Sequence, residues 1–183
     1  VGKIRQHYPD DQILGEEGLG DQVTSAKGRV WIIAPIDGTL NFVKQQENFC
    51  IMIGIVEDEK PLLGFIYDVM KDEFVYGGSQ TGVFINGEKL PAPKDLSLEE
   101  GLVGLNGVMF AKNILKAQEI GLKAVGVRIL GCAGLDFLSV LRGNQVAYLS
   151  NLAPWDFAAG VALGEPLGLK CSKLNGEPFD LLG

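Results

Sequence analysis

The chain has 183 residues, of which 46% are hydrophobic and 21% are charged. This length and composition fit one globular domain with a sizeable core and argue against a disordered chain. A net charge of −7 makes a nucleic-acid polymer an unfavourable partner, because no basic stripe is present to neutralise phosphates.

The cysteines and the histidine narrow the chemistry further. Cys50, Cys132 and Cys171 form an odd set without the spacing of a metal site. We expect reduced thiols in a cytoplasmic protein rather than a disulfide framework. Apolar stretches such as residues 50–56 are too short to cross a membrane, so we predict no membrane partner. His7 is the single histidine, which excludes histidine-rich zinc sites and leaves carboxylates, hydroxyls and hard cations for any hydrolysis.

The first half of the chain alternates apolar runs with turn signals, which predicts strands. A short strand at residues 12–14 leads into the acidic pair Glu16-Glu17, and residues 30–33 resemble a strand buried on both faces. Further strands are predicted at residues 49–56, 61–70, 73–76 and 83–85, the first two as an antiparallel hairpin. Asn86-Gly87 is a strong turn signal.

In the second half, strands alternate more clearly with helices. Strands are predicted at residues 102–105, 124–129, 145–149 and 169–171, and helices at residues 111–120, 133–141 and 155–163. This alternation favours a layered α/β fold. We place an N-terminal half at residues 1–95 and a C-terminal half at residues 96–183, and expect the two halves to form one catalytic unit.

Residues 31–40 combine a buried strand, a proline turn and the start of a helix. An acid, a glycine and a threonine, Asp37-Gly38-Thr39, open this predicted helix. The arrangement places a carboxylate beside free backbone N–H groups, which suits both a cation and a phosphate.

Four acids stand at the ends of apolar elements, where a layered fold can gather them at one edge of its sheets. They are Glu16, Glu17, Asp37 and Asp156. Carboxylates are ligands that Mg²⁺ prefers, and two such ions about 3.5–4 Å apart can activate water. A solvated turn, a helix cap and a charge favoured by the helix dipole explain the same acids. The residue pattern alone leaves both explanations open.

Three motifs together resemble one known family. They are Gly15-Glu16-Glu17, the segment 31–42 and Trp155-Asp156-Phe157-Ala158-Ala159-Gly160. In content, order and spacing they closely resemble the inositol monophosphatase family, a group of Mg²⁺-dependent, lithium-sensitive sugar-phosphate phosphatases. The resemblance covers nearly the whole chain. It implies alternating α-β-α-β-α layers, with an antiparallel sheet in the first half and a mixed sheet in the second, and a homodimer.

The resemblance also implies a metal site for two or three Mg²⁺ ions. Glu16 would bind the first metal and orient the attacking water, with Glu17 as its neighbour outside the direct ligands. Ile36 would offer its backbone carbonyl to the first metal. Asp37 and Asp156 would bind the second metal and lie against the substrate.

Substrate contacts follow from the same resemblance. Thr39 would hydrogen-bond the nucleophilic water, so that Thr39, Glu16 and Asp37 form the catalytic group. The N–H groups of Gly38 and Thr39 would hold the phosphate. The segment Gly131-Cys132-Ala133 would contact the sugar or polyol ring.

Ala34 departs from the family pattern, because relatives carry a metal-binding aspartate at this position. A methyl group offers no oxygen ligand, so we expect the second metal to bind weakly and phosphatase activity to be severely reduced. Either a deliberate substitution or a natural non-catalytic homologue would explain Ala34, and the intact flanking residues favour the former. Ser150 stands where animal members carry a ring-binding glutamate, which argues against inositol itself as the substrate.

The predicted function is Mg²⁺-dependent hydrolysis of a small phosphate monoester by metal-activated water, without a covalent enzyme intermediate. The substrate would be an inositol phosphate, another sugar phosphate or a nucleotide phosphate such as NADP. One alternative is a catalytically dead homologue that binds a phosphate ligand or a partner. A second alternative is a generic α/β domain in which the acids occur at these positions by coincidence. Such a domain would not respond to Mg²⁺ or lithium.

Overall fold

A seven-stranded sheet occupies the first half of the chain. The computed structural model describes residues 1–18 and 20–178, with the side chain of Glu17 outside the description. In sheet order and chain order the strands are β1 (Gln12–Gly15), β2 (Arg29–Asp37), β3 (Cys50–Glu57), β4 (Lys60–Asp68), β5 (Glu73–Gly78), β6 (Gly82–Ile85) and β7 (Glu88–Lys89). Strands β1 and β2 are parallel, and every later neighbouring pair is antiparallel. The predicted antiparallel sheet is therefore confirmed except for its first pair.

A smaller sheet follows in the second half. It consists of β8 (Leu102–Leu105), β9 (Gly126–Arg128) and β10 (Ala147–Leu149), in the order β10-β8-β9. Both pairs are parallel, so the prediction of a mixed sheet is wrong for the described strands. The physical reason is that helices connect these strands, and a helical crossover returns the chain in the same direction.

The described residues form six α-helices: α1 (Gly2–His7), α2 (Thr39–Gln45), α3 (Gly107–Ala111), α4 (Ala117–Lys123), α5 (Ala133–Leu141) and α6 (Pro154–Gly164). Two of them, α5 and α6, separate the sheets. Helix α6 packs on strands β2 to β5, and α5 contacts α6, β3, β4 and β10. This layering confirms the predicted α/β class. None of the described helices has the length and apolar character that a membrane span requires.

The main apolar core lies between the large sheet and the α5–α6 pair. Met52 and Ile66 from the sheet pack with Leu138 from α5 and Leu163 from α6, and all four are almost fully buried. Helix α6 belongs to the second half of the sequence, so the halves share this core. The boundary between residues 95 and 96 stays a prediction.

Small residues let α6 approach the sheet closely. Gly54 pairs with Gly64 across β3 and β4. A Cβ atom at residue 54 would lie 2.7 Å from the Cβ of Ala158, and one at residue 64 would lie 2.3 Å from the carbonyl oxygen of Ala159. The two glycines therefore set how close the helix lies to the sheet, and with it the position of Asp156 in the first helical turn.

Two predicted elements differ from the structure. The helix predicted at residues 111–120 is two helices, because Asn113, Leu115 and Lys116 adopt positive φ angles of 50°, 53° and 63° between α3 and α4. The predicted strand at residues 169–171 is absent from the described structure. There the Leu169 N–H donates to the Gly164 carbonyl and closes the end of the preceding helical turn instead.

Candidate metal and phosphate site

An irregularity at the end of β2 positions Asp37. Ala34 pairs with Met52 and Asp37 pairs with Cys50, so β2 advances three residues while β3 advances two. Such a bulge redirects the side chains that follow it, and Pro35 within it has no N–H to offer a ladder bond. Asp37 consequently turns inward and retains only 9% of its exposure.

The Asp37 carboxylate is fastened to the start of helix α5. Its Oδ2 atom accepts a hydrogen bond from the Gly134 N–H at 2.6 Å. The thiols of Cys132 and Cys50 lie 3.1 Å and 3.5 Å from the same oxygen. The positive end of the α5 dipole favours this negative charge. A carboxylate from the large sheet is thus joined to a loop and helix of the second half.

In the turn after Asp37, the backbone lies close to Asn48 and Cys132. Gly38 has a φ of +81°, and a Cβ there would lie 2.9 Å from the Asn48 carbonyl oxygen and 3.0 Å from the Cys132 Cβ. The Asn41 amide then donates to the carbonyls of Asn48 and Leu130, at 2.9 Å and 2.8 Å. The predicted strand–turn–helix is confirmed, and Asn41 anchors it to the loop that precedes α5.

A cleft of about 190 Å³ opens beside this junction. Three carboxylates line it, those of Asp37, Asp136 and Asp156, together with residues 131–133 and Ser150. Among the described residues of the lining there is no lysine or arginine. Clustered oxygen donors without a compensating base fit a divalent cation, so the residues present are compatible with Mg²⁺.

Burial and mutual repulsion disturb the ionisation of the cleft acids. Burial raises the pKa of Asp156, and the negative charge of Asp37 adds to the effect, against the Ala153 N–H that donates to Asp156 at 2.9 Å. Burial raises the pKa of Asp136 to about 7, opposed by the hydrogen bond from Gln145 and assisted by Asp37. A bound cation would offset these costs, because it stabilises the charged forms.

Comparison with known proteins identifies the family. The sequence model of the inositol monophosphatase family matches residues 1–183, the whole chain. The chain belongs to the inositol monophosphatase family. The inositol-1-monophosphatase of Bacillus subtilis (strain 168) is 41% identical to the chain over 187 residues, which cover 100% of the chain and 71% of the relative.

Solved structures of the family agree with this assignment. Inositol monophosphatase-II from Staphylococcus aureus MSSA476 has a TM-score of 0.92 at 41% identity, covering 98% of the chain and 71% of the relative. An IMPase/NADP phosphatase complexed with Mg²⁺ and phosphate has a TM-score of 0.89 at 32% identity, covering 99% and 69%.

Several residues predicted from the family motifs lie together. Asp37, Asp156 and the segment Gly131-Cys132-Ala133 all line the cleft, although they come from three separate parts of the chain. Their convergence is a finding of the structure, and their roles in binding stay proposals.

Other predicted residues are not among those that line the cleft. Thr39 is exposed, and its hydroxyl donates to the Ile36 carbonyl at 2.9 Å. Glu16 begins a short helical turn after β1. Because Gly15 pairs with Ile33 in the parallel β1–β2 ladder, Glu16 is the residue next in register to Ala34. The predicted role of Glu17 concerns a side chain outside the described part of the structure.

Ala34 is fully buried and packs in the main core. This position therefore has an apolar contact where an oxygen ligand was expected. The methyl group packs in the same cluster as Met52 and is not part of the described cleft lining.

Sequence reasoning missed two residues of the site, Asp136 in the cleft lining and Cys50 behind Asp37. Asp136 is an acid within the apolar run of α5, and its isolation among apolar residues was the signal that could have identified it. Cys50 carried no such signal, because only the register of β2 against β3 brings it to Asp37.

Proposed function

We propose that this scaffold hydrolyses small phosphate monoesters with Mg²⁺, and that Ala34 makes the present chain a severely weakened catalyst. The observation that supports this best is the meeting of Asp37 and Asp156 in one cleft, whose described lining contains no lysine or arginine. The named relatives include an inositol-1-monophosphatase and an IMPase/NADP phosphatase, which favours sugar, polyol or nucleotide monophosphates as substrates.

The protein groups divide the work between metal and substrate. Asp37, Asp156, Glu16 and the Ile36 carbonyl would hold two or three Mg²⁺ ions. When bound, Mg²⁺ neutralises phosphate charge and acidifies water. The bulge after Ala34 and the Gly134 N–H fix the orientation of Asp37, so its carboxylate needs little reorganisation on binding.

The phosphate and the organic part of the substrate would contact different segments. The backbone N–H groups of Gly38 and Thr39 would bind phosphate oxygens at the start of α2, while residues 131–133 would contact the ring. Thr39 would orient the attacking water through its hydroxyl, which is held at 2.9 Å from the Ile36 carbonyl.

Restoring the carboxylate tests this proposal. Ala34→Asp should raise Mg²⁺-dependent phosphate release by about 100-fold or more, because a direct metal ligand contributes several kcal/mol. Release would be measured against a panel of inositol, sugar and nucleotide monophosphates. Ala34→Asn is the matched control, since it adds similar volume without the charge.

Two outcomes would contradict the proposal. One is an Ala34→Asp protein that is no more active than the parent on any member of the panel. The other is equal activity of Ala34→Asp and Ala34→Asn, which would make volume rather than a metal ligand the cause.

A second candidate function is ligand binding without turnover. The full burial of Ala34 in a packed core favours it, because the position is accommodated rather than left as a hole. Calorimetry of the parent chain with Mg²⁺ and inositol monophosphate should then give binding heat while phosphate release stays at background.

A further inference from the structure

Two cysteines and Asp37, which is also a proposed Mg²⁺ ligand, form a compact set of ligand atoms. The Sγ atoms of Cys50 and Cys132 lie 3.6 Å apart. The Oδ2 atom of Asp37 lies 3.1 Å from the Cys132 sulfur and 3.5 Å from the Cys50 sulfur. Both cysteines are free, and their exposures are 0% and 3%. Two thiols and a carboxylate therefore meet in a buried pocket without a disulfide.

The separations match the edges of a tetrahedral zinc site. Zinc bonds of about 2.3 Å to sulfur and about 2.0–2.2 Å to oxygen imply edges of about 3.8 Å between sulfurs and about 3.5 Å between sulfur and oxygen. The observed distances of 3.6, 3.5 and 3.1 Å require movements of only a few tenths of an ångström. Magnesium, by contrast, requires oxygen ligands, whereas thiolates select softer metals.

We propose that Asp37, Cys50 and Cys132 bind one thiophilic divalent cation, for which Zn²⁺ is the natural probe. Both thiols release their protons to solvent on coordination, because the thiolate is the ligand. The site then holds three negative charges against two positive ones.

Two glycines accommodate the sulfur atoms of this site. A Cβ atom on Gly134 would lie 2.4 Å from the Cys50 sulfur, and one on Gly38 would lie 3.3 Å from the Cys132 sulfur. Glycines at both positions therefore give the sulfurs their space. The Gly134 N–H, at 2.6 Å from Asp37 Oδ2, orients the carboxylate as outer partners of metal ligands commonly do.

The cleft supplies access and a fourth position. Asp37 and Cys132 both line it, so a water molecule could complete the coordination from that side. Asp136 and Asp156 line the same cleft and make the approach favourable for a cation. Because Asp37 is also a proposed Mg²⁺ ligand, Zn²⁺ and Mg²⁺ would exclude one another there. That consequence rests on the proposed function, whereas Zn²⁺ binding itself does not.

X-ray absorption spectroscopy of the unaltered, fully reduced chain with one equivalent of Zn²⁺ tests the site directly. We expect two sulfur ligands and at least one oxygen ligand per zinc. A first shell with fewer than two sulfurs overturns the proposal, whatever the phosphatase assays show.

Cysteine variants identify the sulfurs. Titration with Cd²⁺ should produce a thiolate-to-metal charge-transfer band that saturates at one ion per chain. Cys50→Ala and Cys132→Ala should each weaken this binding at least tenfold, while Cys171→Ala should leave it unchanged. Circular dichroism checks the fold of each variant. A folded Cys132→Ala protein that binds Cd²⁺ as tightly as the parent, or a Cys171→Ala protein that loses the band, overturns the assignment. The zinc spectrum decides the matter if Cys50→Ala fails to fold.

Discussion

At the scale of one residue, Asp136 shows how burial at the cleft affects the ionisation of a carboxyl group. It is 1% exposed, and its Oδ1 atom accepts a hydrogen bond of 3.1 Å from Gln145. A Cβ atom on Gly104 would lie 2.6 Å from this oxygen and 2.3 Å from Gln145 Oε1, so the pair needs glycine beneath it. A buried carboxyl with a single donor is easier to hold protonated than ionised.

The raised pKa of Asp136 gives a prediction for stability. Its pKa is about 7 in the folded chain against an ordinary value of 3.8. Between these pH values the folded state keeps a proton that the unfolded state releases, so the free energy of unfolding falls as pH rises from about 4 to about 7. The total loss is at most about 4 kcal/mol. Asp136→Asn should flatten this slope and be more stable than the parent above about pH 7.

Urea denaturation in the presence of a chelator, from about pH 4 to about pH 8, measures this slope. Asp95→Asn, at an exposed acid, controls for the removal of a negative charge. An unchanged slope in Asp136→Asn would show that another group carries the pH dependence.

At the scale of elements, helix α6 determines where Asp156 lies. The helix begins at Pro154, and Asp156 closes its first turn through the Ala153 N–H. Gly160 faces Phe137 of α5, where a Cβ would lie 2.3 Å from the ring. The helix is thus held on one side by the sheet glycines and on the other by α5.

Enlarging a sheet glycine should displace this helix. Gly64→Ala would place a Cβ 2.3 Å from the Ala159 carbonyl and 2.8 Å from the Leu163 Cγ. Because a helix backbone cannot yield locally, we expect a loss of about 1–3 kcal/mol in the free energy of unfolding. Gly2→Ala, where a Cβ meets no atom within 4 Å, is the control for the substitution itself. Equal stability of the two variants in urea would refute the role of close packing at Gly64.

Local sequence patterns predicted most helices and strands. The features that they did not predict also have physical reasons. Alternating apolar residues and Asn86-Gly87 identified the strands and the turn, because side-chain period and positive φ are local properties. The break between α3 and α4 depends on the left-handed backbone conformation of Leu115, and a leucine does not predict such a conformation. The approach of Cys50 to Asp37 depends on a bulge that no local pattern specifies.

For the whole molecule, metal binding and folding are coupled. Ala34→Asp would add a carboxylate at a fully buried position in the apolar core. Without metal we therefore expect this variant to be less stable than the parent. Mg²⁺ should raise its melting temperature more than that of the parent, and saturation at 100 times the dissociation constant corresponds to about 2.7 kcal/mol.

Thermal unfolding with and without Mg²⁺ measures this coupling, with Ala34→Asn as the uncharged comparison. A variant stabilised no more than the parent would mean that residue 34 does not contact the ion. The homodimer, the lithium sensitivity and the cytoplasmic location expected from the sequence stay predictions at this scale.

The hydrogen bond between Asp37 and Gly134 also bears on when the site can form during synthesis. Its two partners are 97 residues apart in the chain. During synthesis, the residues of all seven strands of the large sheet emerge before α5 exists, so Asp37 first leaves the ribosome without its partner. A polypeptide that stopped short of residue 134 would contain the segments of that sheet and lack one wall of the cleft. The site therefore comes into being only after most of the chain has been made.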